Sequence, residues 1–353
     1  MSEPLPKKTS QYVLHQNKGF EDLKLEHGVD IPEVDDYGCL VKVEAVSLNH
    51  RDLVIVNGKY PFPCHFPRIP GSDASAIVLA TGAKVTQFKV GDRVCTQFRP
   101  THQAGRIKAA DLWVGLGGQI DGTSRQYAVF PETWLVKAPA NLSAEEASTL
   151  TCAWVTAWNA LFGLQDRCLK LGDYVLTQGT GGVSIAIVQL AVAAGAIVVA
   201  TTSSDKKAEK LKKLGVKHVV NYRTDPNWGK TVKDLTSGGL GVDIVVELGG
   251  PTTTRQSLTA IKPEGVISII GYLGGAEAEK TPNMLEALSH ACIVRGSAVG
   301  SRLLFQDMNR TIEACEVPVV VDERVFAWEE LQEAYQYMWD QKHFGKVVVR
   351  VAS

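Results

Sequence analysis

The chain has 353 residues, 45% of them hydrophobic, and a formal net charge of −1. That length exceeds what one hydrophobic core organises and predicts two domains, while the lack of a basic excess argues against nucleic acid or an anionic membrane as a partner. No segment reads as a membrane-spanning helix and the opening MSEPLPKKTS lacks the apolar core of a signal peptide. A cytoplasmic protein is therefore expected, its seven scattered cysteines reduced and mostly buried rather than paired or gathered on zinc.

Residues 1–10 are polar. From 12 to 45 the pattern is short and β-like, ending in an alternation in which Val41, Val43 and Ala45 face one way and Lys42 and Glu44 the other. Strand-length runs follow at 74–81, 93–97 and 126–130, punctuated by Gly71, Gly82, Gly91 and the Gly117-Gly118 pair, so that residues 11–149 read as an all-β domain. Between 144 and 161 the period turns helical, with Ala147, Leu150, Val155 and Trp158 on one face. Residues 174–222 then read as strand, glycine turn, helix, strand, helix, strand. Later runs at 242–248, 266–272 and 291–299 complete a doubly wound sheet of about six parallel strands. Past Gly300, helices at about 304–314 and 328–339 and a last strand at 346–351 have no place that periodicity alone assigns.

The stretch 174–222 carries the chemistry. Gly179, Gly181 and Gly182, with Thr180 and Val183 among them, form a turn in which the backbone bends sharply and a pyrophosphate reaches amides at a helix N-terminus, where partial positive charge favours an anion. The helix from about 183 to 194 is apolar on nearly every face, and Gly195 ends it. Ser184 stands where the G-x-G-x-x-G pattern asks for a third glycine. At the end of the second strand, residues 197–204 lack the acid that holds an NAD ribose, and Ser203, Ser204 and Lys207, with Arg223 after the next strand, offer hydroxyls and cations to a 2′-phosphate. NADP(H) is the expected cofactor. Ser204 also suits a helix cap before Asp205, and both roles are compatible.

These features add up to a resemblance. Val-Ser-Leu-Asn-His-Arg-Asp at 46–52, Pro-Gly-Ser-Asp at 70–73, Val-Gly-Asp-Arg-Val at 90–94, Thr-Ala at 156–157, GTGGVS at 179–184 and His-Phe-Gly-Lys-Val-Val at 343–348 resemble the medium-chain dehydrogenase/reductase superfamily, and within it the zinc-independent quinone oxidoreductase and enoyl reductase branch. The resemblance implies an α/β protein: a GroES-like β-barrel substrate domain at 1–149, completed by 300–353, and a Rossmann doubly wound parallel sheet at 150–299. It implies a cofactor in the cleft between the domains and a homodimer joined through the nucleotide-domain sheet. Zinc relatives hold a catalytic metal with cysteine, histidine and cysteine, at positions where this chain has Asn49, Ser72 and Cys152; the lobe at 99–118 that carries a structural zinc in relatives has no cysteine here. No zinc is expected, because one thiol with Asp73 falls short of three protein ligands.

Without a metal to polarise a carbonyl, hydride addition is easiest to an acceptor whose conjugation spreads the charge: an enone, enal, enoyl thioester or quinone. The resemblance puts Asn49 beside nicotinamide and substrate, with its amide donating to the carbonyl oxygen, and Asp52, Tyr60 and Phe62 in the same pocket. An Asx-type turn bond is the structural alternative for Asn49, and simple packing for Tyr60. By the same resemblance Thr156 touches the cofactor phosphate and Tyr222 the adenosine phosphate. Leu248, Gly249, Gly271 and Tyr272 lie at strand ends facing the cofactor, and Lys346 reaches it from the tail. The small-molecule substrate itself is not legible, although the lobe at 99–118 and the loop at 300–305 are expected to shape its pocket. Two other readings stay open: a metal-free carbonyl reductase or alcohol dehydrogenase, and an NADPH-binding protein with little turnover.

Overall fold

The computed structural model describes residues 4–271 and 281–351. Among these, no helix is long and apolar enough to cross a membrane. The chain divides into two compact units, one of Met1–Val155 with Ser301–Ser353, the other of Thr156–Gly300. In chain order the strands are β1 (Lys8–Leu14), β2 (Leu23–Asp30), β3 (Gly38–Ser47), β4 (Asp73–Thr81), β5 (Arg93–Thr96), β6 (Tyr127–Pro131), β7 (Leu135–Lys137), β8 (Tyr174–Gln178), β9 (Ile197–Thr202), β10 (His218–Asn221), β11 (Val242–Glu247), β12 (Ile261–Ile269), β13 (Ile293–Gly296), β14 (Val321–Ala327) and β15 (Lys346–Arg350).

The first unit is a GroES-like β-domain. Its seven-stranded sheet runs β14-β15-β3-β4-β5-β7, with β6 pairing β3, and β1 and β2 form a separate antiparallel pair. The alternation at 41–45 is realised: Val41, Val43 and Ala45 are buried while Lys42 and Glu44 are half-buried. Leu23, Phe130, Phe326, Trp328 and Tyr335 fill the core. Removing that apolar area from water is the main stabilising term at roughly 25 cal/mol per Å².

The all-β expectation for 11–149 needs correction, since His50–Val56 is a helix. Val54, Ile55 and Val56 favour a strand by intrinsic preference. Two features win against that preference: Asp52 Oδ2 accepts the backbone N–H of Asn49 at 2.8 Å at the helix start, and Leu53, Ile55 and Val56 gain burial on one helical face. The C-terminal segments, unplaced by periodicity, belong to this unit. Arg302 Nε donates to Leu135 O and Asn309 Nδ2 to Lys137 O, both at 2.8 Å, which seats helix Arg302–Ala314 against β7. β15 pairs antiparallel with β3 and parallel with β14, a strand the sequence pattern does not reveal because its exposed and buried residues fail to alternate. Two of the seven cysteines, Cys39 and Cys95, are buried, fewer than expected; Cys315 is exposed and all seven are free thiols.

The second unit is a Rossmann sheet of six parallel strands in the order β10-β9-β8-β11-β12-β13. Leu176, Val199, Val245 and Ile267 are inaccessible to solvent, as expected for parallel strands covered on both faces. β8 is central, and the sheet's order reverses between β8 and β11, the point at which open α/β sheets bind ligands. β12 begins earlier than the run at 266: Ile261 pairs with Val242 although Pro263 and a positive φ at Glu264 read locally as a turn. Tyr272, expected at the end of this strand, lies outside the described residues.

Candidate active site

Within the first unit, three segments distant in sequence meet around one buried cation. Gly345 takes a positive φ of 80°, and the strand that follows turns Lys346 inward until it is only 3% exposed. Its Nζ donates to Leu48 O at 2.6 Å, to Asn49 Oδ1 at 2.7 Å and to Asp73 Oδ2 at 3.2 Å. Asp73, wholly buried at the start of β4, also accepts the Ser72 hydroxyl at 2.6 Å and the backbone N–H of Cys152 at 3.3 Å. An ammonium donates and never accepts, so the oxygen of the Asn49 amide faces it and the nitrogen faces the other way, where it donates to Ser72 Oγ at 3.3 Å. The side chain of Asn49 therefore serves this cluster rather than an Asx turn.

Cys152 sits on a wide helical turn, Leu150–Trp154, of the π type that interrupts helices at functional sites. Helix Ala144–Ser148 precedes it and helix Val155–Phe162 follows, so the single helix expected over 144–161 is broken in three. Burial, reinforced by the charge of Asp73, pushes the Cys152 thiol up to about 12 against the opposing pull of Lys346 and Arg51. Asn49, Ser72 and Cys152 thus present an amide oxygen already bound to an ammonium, a hydroxyl whose proton goes to Asp73, and a single thiol, while Asp73 is ion-paired. This donor set does not fit a catalytic zinc, which takes deprotonated cysteine, imidazole or carboxylate and would have to displace a second cation.

Asp52 lies beneath the same cluster. Burial pushes its carboxyl up to about 6, against the pull of the Arg51 guanidinium and the Asn49 N–H. Arg51, which no local pattern marks, links this carboxylate, 3.6 Å from its Nη1, to Tyr60. Its Nη1 donates to Leu116 O at 2.7 Å, and its guanidinium carbon lies 5.4 Å from the Tyr60 ring centre and 4.7 Å from that of Phe98. Tyr60 packs edge-on against Phe62 at 5.2 Å, and Phe62 against Trp113 at 5.0 Å, forming a half-exposed aromatic wall. Trp113 comes from the lobe expected to shape the pocket. Nothing in the local pattern marks it, since it reaches Phe62 only through the fold.

In the second unit the glycine turn closes β8 onto helix Gly182–Ala193. Gly179 has a φ of 77°, a left-handed conformation that favours glycine, and its N–H donates to Thr201 O at 2.8 Å. Gly181 is extended, with φ −78° and ψ 179°; it caps the helix without any side-chain bond, and a Cβ built there meets no atom within 4 Å. The absence of a side chain at Gly181 leaves open space over a helix N-terminus, as an anion requires. Ser184 Oγ donates to Gln178 O at 2.7 Å, tying helix to strand and explaining how serine replaces the third glycine. Thr180 is buried and Val183 half-buried beside it.

The other expected cofactor residues gather at the carboxyl ends of the strands. Asn221 and Thr202 are paired and the Tyr222 N–H donates to Thr202 O at 3.2 Å, which sets Tyr222, 44% exposed, at the same strand ends from which Ser203 and Ser204 lead into the helix of Lys207. Ser204 caps helix Asp205–Lys213 by accepting the Lys207 N–H at 3.3 Å, and Asn221 Nδ2 holds Asp205 Oδ1 at 3.1 Å. Leu248 and Gly249 follow β11, and their N–H groups both donate to Gln178 Oε1 at 3.2 Å. Gly271 comes within 3.0 Å of Leu248 O at its notional Cβ. Behind them is a network the sequence did not disclose. Glu247, inaccessible to solvent, accepts from Gln178 Nε2 at 2.8 Å, from Gly250 N at 2.9 Å and from the hydroxyls of Thr253 and Ser257. Thr156, in helix Val155–Phe162, is buried.

A barrel carrying a polar cluster, together with a Rossmann sheet carrying an open glycine turn, defines a nicotinamide-dependent oxidoreductase, and comparison with known proteins agrees. Residues 35–140 match the alcohol dehydrogenase GroES-like domain and residues 182–315 the zinc-binding dehydrogenase domain. A zinc-type alcohol dehydrogenase-like protein of Schizosaccharomyces pombe is 43% identical over 97% of this chain and 99% of its own length. A quinone oxidoreductase of Lama guanicoe is 28% identical over 77% of this chain and 75% of its own. Among solved structures, an NAD-dependent alcohol dehydrogenase superposes with a TM-score of 0.84 at 30% identity, covering 97% of this chain and 100% of that one. A crotonyl-CoA carboxylase/reductase gives 0.85 at 27%, covering 98% and 89%. The chain belongs to the medium-chain dehydrogenase/reductase superfamily and is an oxidoreductase of it. The superfamily binds a nicotinamide cofactor, and the glycine turn of this chain fits one.

Proposed function

We propose that the chain is an NADPH-dependent, metal-independent reductase of conjugated acceptors, an enone, enal, enoyl C=C or quinone. The observation that carries the reading is the ammonium of Lys346 bonded to Asn49 and Asp73 where zinc relatives place their metal ligands. A reduced nicotinamide supplies the hydride. With an enone, hydride adds to the β-carbon, the C=C electron pair shifts so that negative charge collects on the carbonyl oxygen, and a proton from solvent completes the α-carbon. Asn49 Nδ2 donates to that oxygen as the charge develops there. Tyr60, Phe62 and Trp113 form an apolar side for the substrate, and Asp52 holds the backbone at Asn49 in place. In the second unit the turn Gly179–Thr180–Gly181–Gly182–Val183 receives the pyrophosphate. Leu248, Gly249 and Gly271 border it, and Thr156 contributes a hydroxyl. Ser203, Ser204, Lys207 and Tyr222 receive the adenosine phosphate, which favours NADPH over NADH.

A second reading, reduction of C=O, is favoured by the alcohol dehydrogenases among the relatives. Incubating the protein and NADPH with an α,β-unsaturated aldehyde separates the two: a saturated aldehyde is the expected product, and an allylic alcohol would replace this reading with the second. The protein acts as a homodimer in this reading, since Met284, Leu285, Leu288 and Val294 expose apolar surface around the edge strand β13. Seven free thiols suit a reducing compartment such as the cytoplasm.

A further inference from the structure

The three donors of Lys346 end on three protein oxygens, at 2.6, 2.7 and 3.2 Å, inside a barrel that leaves the side chain 3% exposed. An ammonium so placed has no N–H left for a substrate. Its influence passes through what it binds, and of its three partners only Asn49 has a second functional group. Asn and Gln amides are ambiguous by shape, because oxygen and nitrogen differ little in size, and an isolated carboxamide offers either end. Here the ambiguity is removed twice. The ammonium demands the oxygen, and Ser72, whose own proton goes to Asp73 Oδ1 at 2.6 Å, has only a lone pair for the nitrogen. One N–H of Asn49 is thus taken by Ser72 and one remains.

We propose that Lys346 is a positioning residue: its buried ammonium locks the Asn49 carboxamide with the oxygen inward, so that only an N–H is offered to the carbonyl oxygen of the substrate. This rests on the reading of Asn49 as the donor to that oxygen. The ammonium thereby does two things a metal ion would do, placing a positive charge behind the reacting oxygen and fixing the group that touches it, without binding substrate itself. The Asp73 carboxylate balances the charge and holds the ammonium in register with β4 and with the Cys152 turn.

The test is a double-mutant cycle on NADPH oxidation with an enone, with NADPH affinity followed by fluorescence. Asn49→Ala lowers kcat about a hundredfold, the scale of losing one oxyanion donor. Asn49→Asp keeps an oxygen for Lys346 but has no N–H, and matches Asn49→Ala. Lys346→Met lowers kcat to a similar degree, and Asn49→Ala/Lys346→Met is no slower than either single variant, because one residue acts through the other. NADPH Kd stays within about twofold throughout. Lys346→Met leaves Asp73 unpaired in the interior, a destabilising change; if it does not fold, Asp73→Asn/Lys346→Met, which buries no charge, takes its place in the cycle. Full kcat in the Lys346 variant, or losses that multiply in the double variant, overturns the positioning role while leaving Asn49 as donor. Full kcat in Asn49→Ala overturns the underlying reading instead.

Discussion

Replacing Gly181 by Asp sets fold and cofactor against each other. At φ −78° and ψ 179° Gly181 already has the backbone of an N-cap residue, and a Cβ there meets nothing within 4 Å. Asp is among the better N-caps and glycine differs from them by a few tenths of a kcal/mol, while a carboxylate at the positive end of the helix adds about 0.3–1 kcal/mol. The variant should therefore be more stable without cofactor by roughly 0.5–1 kcal/mol, a rise in Tm of about 1–4 °C for a chain of this size. With cofactor the sign reverses. With the pyrophosphate seated at this turn as proposed, the new carboxylate would face it, and two unit charges about 4 Å apart at an effective dielectric of about 20 repel by ~4 kcal/mol. That is about a thousandfold in Kd. Thermal melting without nucleotide and fluorescence titration with NADPH measure the two quantities on one sample. A variant that binds NADPH within about threefold of the natural chain would refute the anion cradle, since ~4 kcal/mol of repulsion leaves no room for that result. A variant that melts well below the natural chain would refute the argument that glycine is present here for the ligand rather than the backbone. Gly179, with φ 77°, is the converse: Gly179→Ala should lose about 1–2 kcal/mol to left-handed strain.

Asp52 has a folded-state pKa of about 6 against an ordinary 3.8, so between those values the folded protein binds more protons than the unfolded one and stability falls as pH rises through the window. Urea unfolding of the natural chain and Asp52→Asn at pH 4 and pH 7 should show the natural chain losing up to ~3 kcal/mol relative to the variant; a relative gain would contradict the burial argument. Glu247→Leu removes the acceptor shared by Gln178, Gly250, Thr253 and Ser257 and should destabilise the fold by roughly 3 kcal/mol or more, with Glu247→Gln less severe; a loss under about 1 kcal/mol would mean the donors find other partners. Lys207→Ala should weaken NADPH by about tenfold, as expected for a half-buried charge-assisted contact of roughly 1–1.5 kcal/mol, and leave NADH unchanged. Equal effects on both would remove the phosphate role.

What the sequence determined by itself is what depends on neighbours along the chain. The glycine turn, the apolar helix after it, the Ser204 cap and the alternation at 41–45 all follow from backbone sterics and periodicity within a few residues, and each is present in the structure. Local signals failed where a distant partner supplied the stabilisation. His50–Val56 is helical despite its β-branched run because capping and burial outweigh preference. β14 has no alternation to read, since its place comes from pairing with β15. The residues around the proposed reaction show the same division. Asn49, Asp52 and Tyr60 are singled out only through the family resemblance of the segments that carry them, and Arg51, Trp113 and Glu247 are not singled out at all. Lys346 is the clearest case. Its sequence neighbours describe a lysine opening an ordinary strand, yet it closes on Asn49, 297 positions away. Only the antiparallel pairing of β15 with β3 carries the ammonium to that amide, and a charge is stable in such an interior only when a counter-ion and oxygens from other parts of the chain surround it, as Asp73, Leu48 and Asn49 do here.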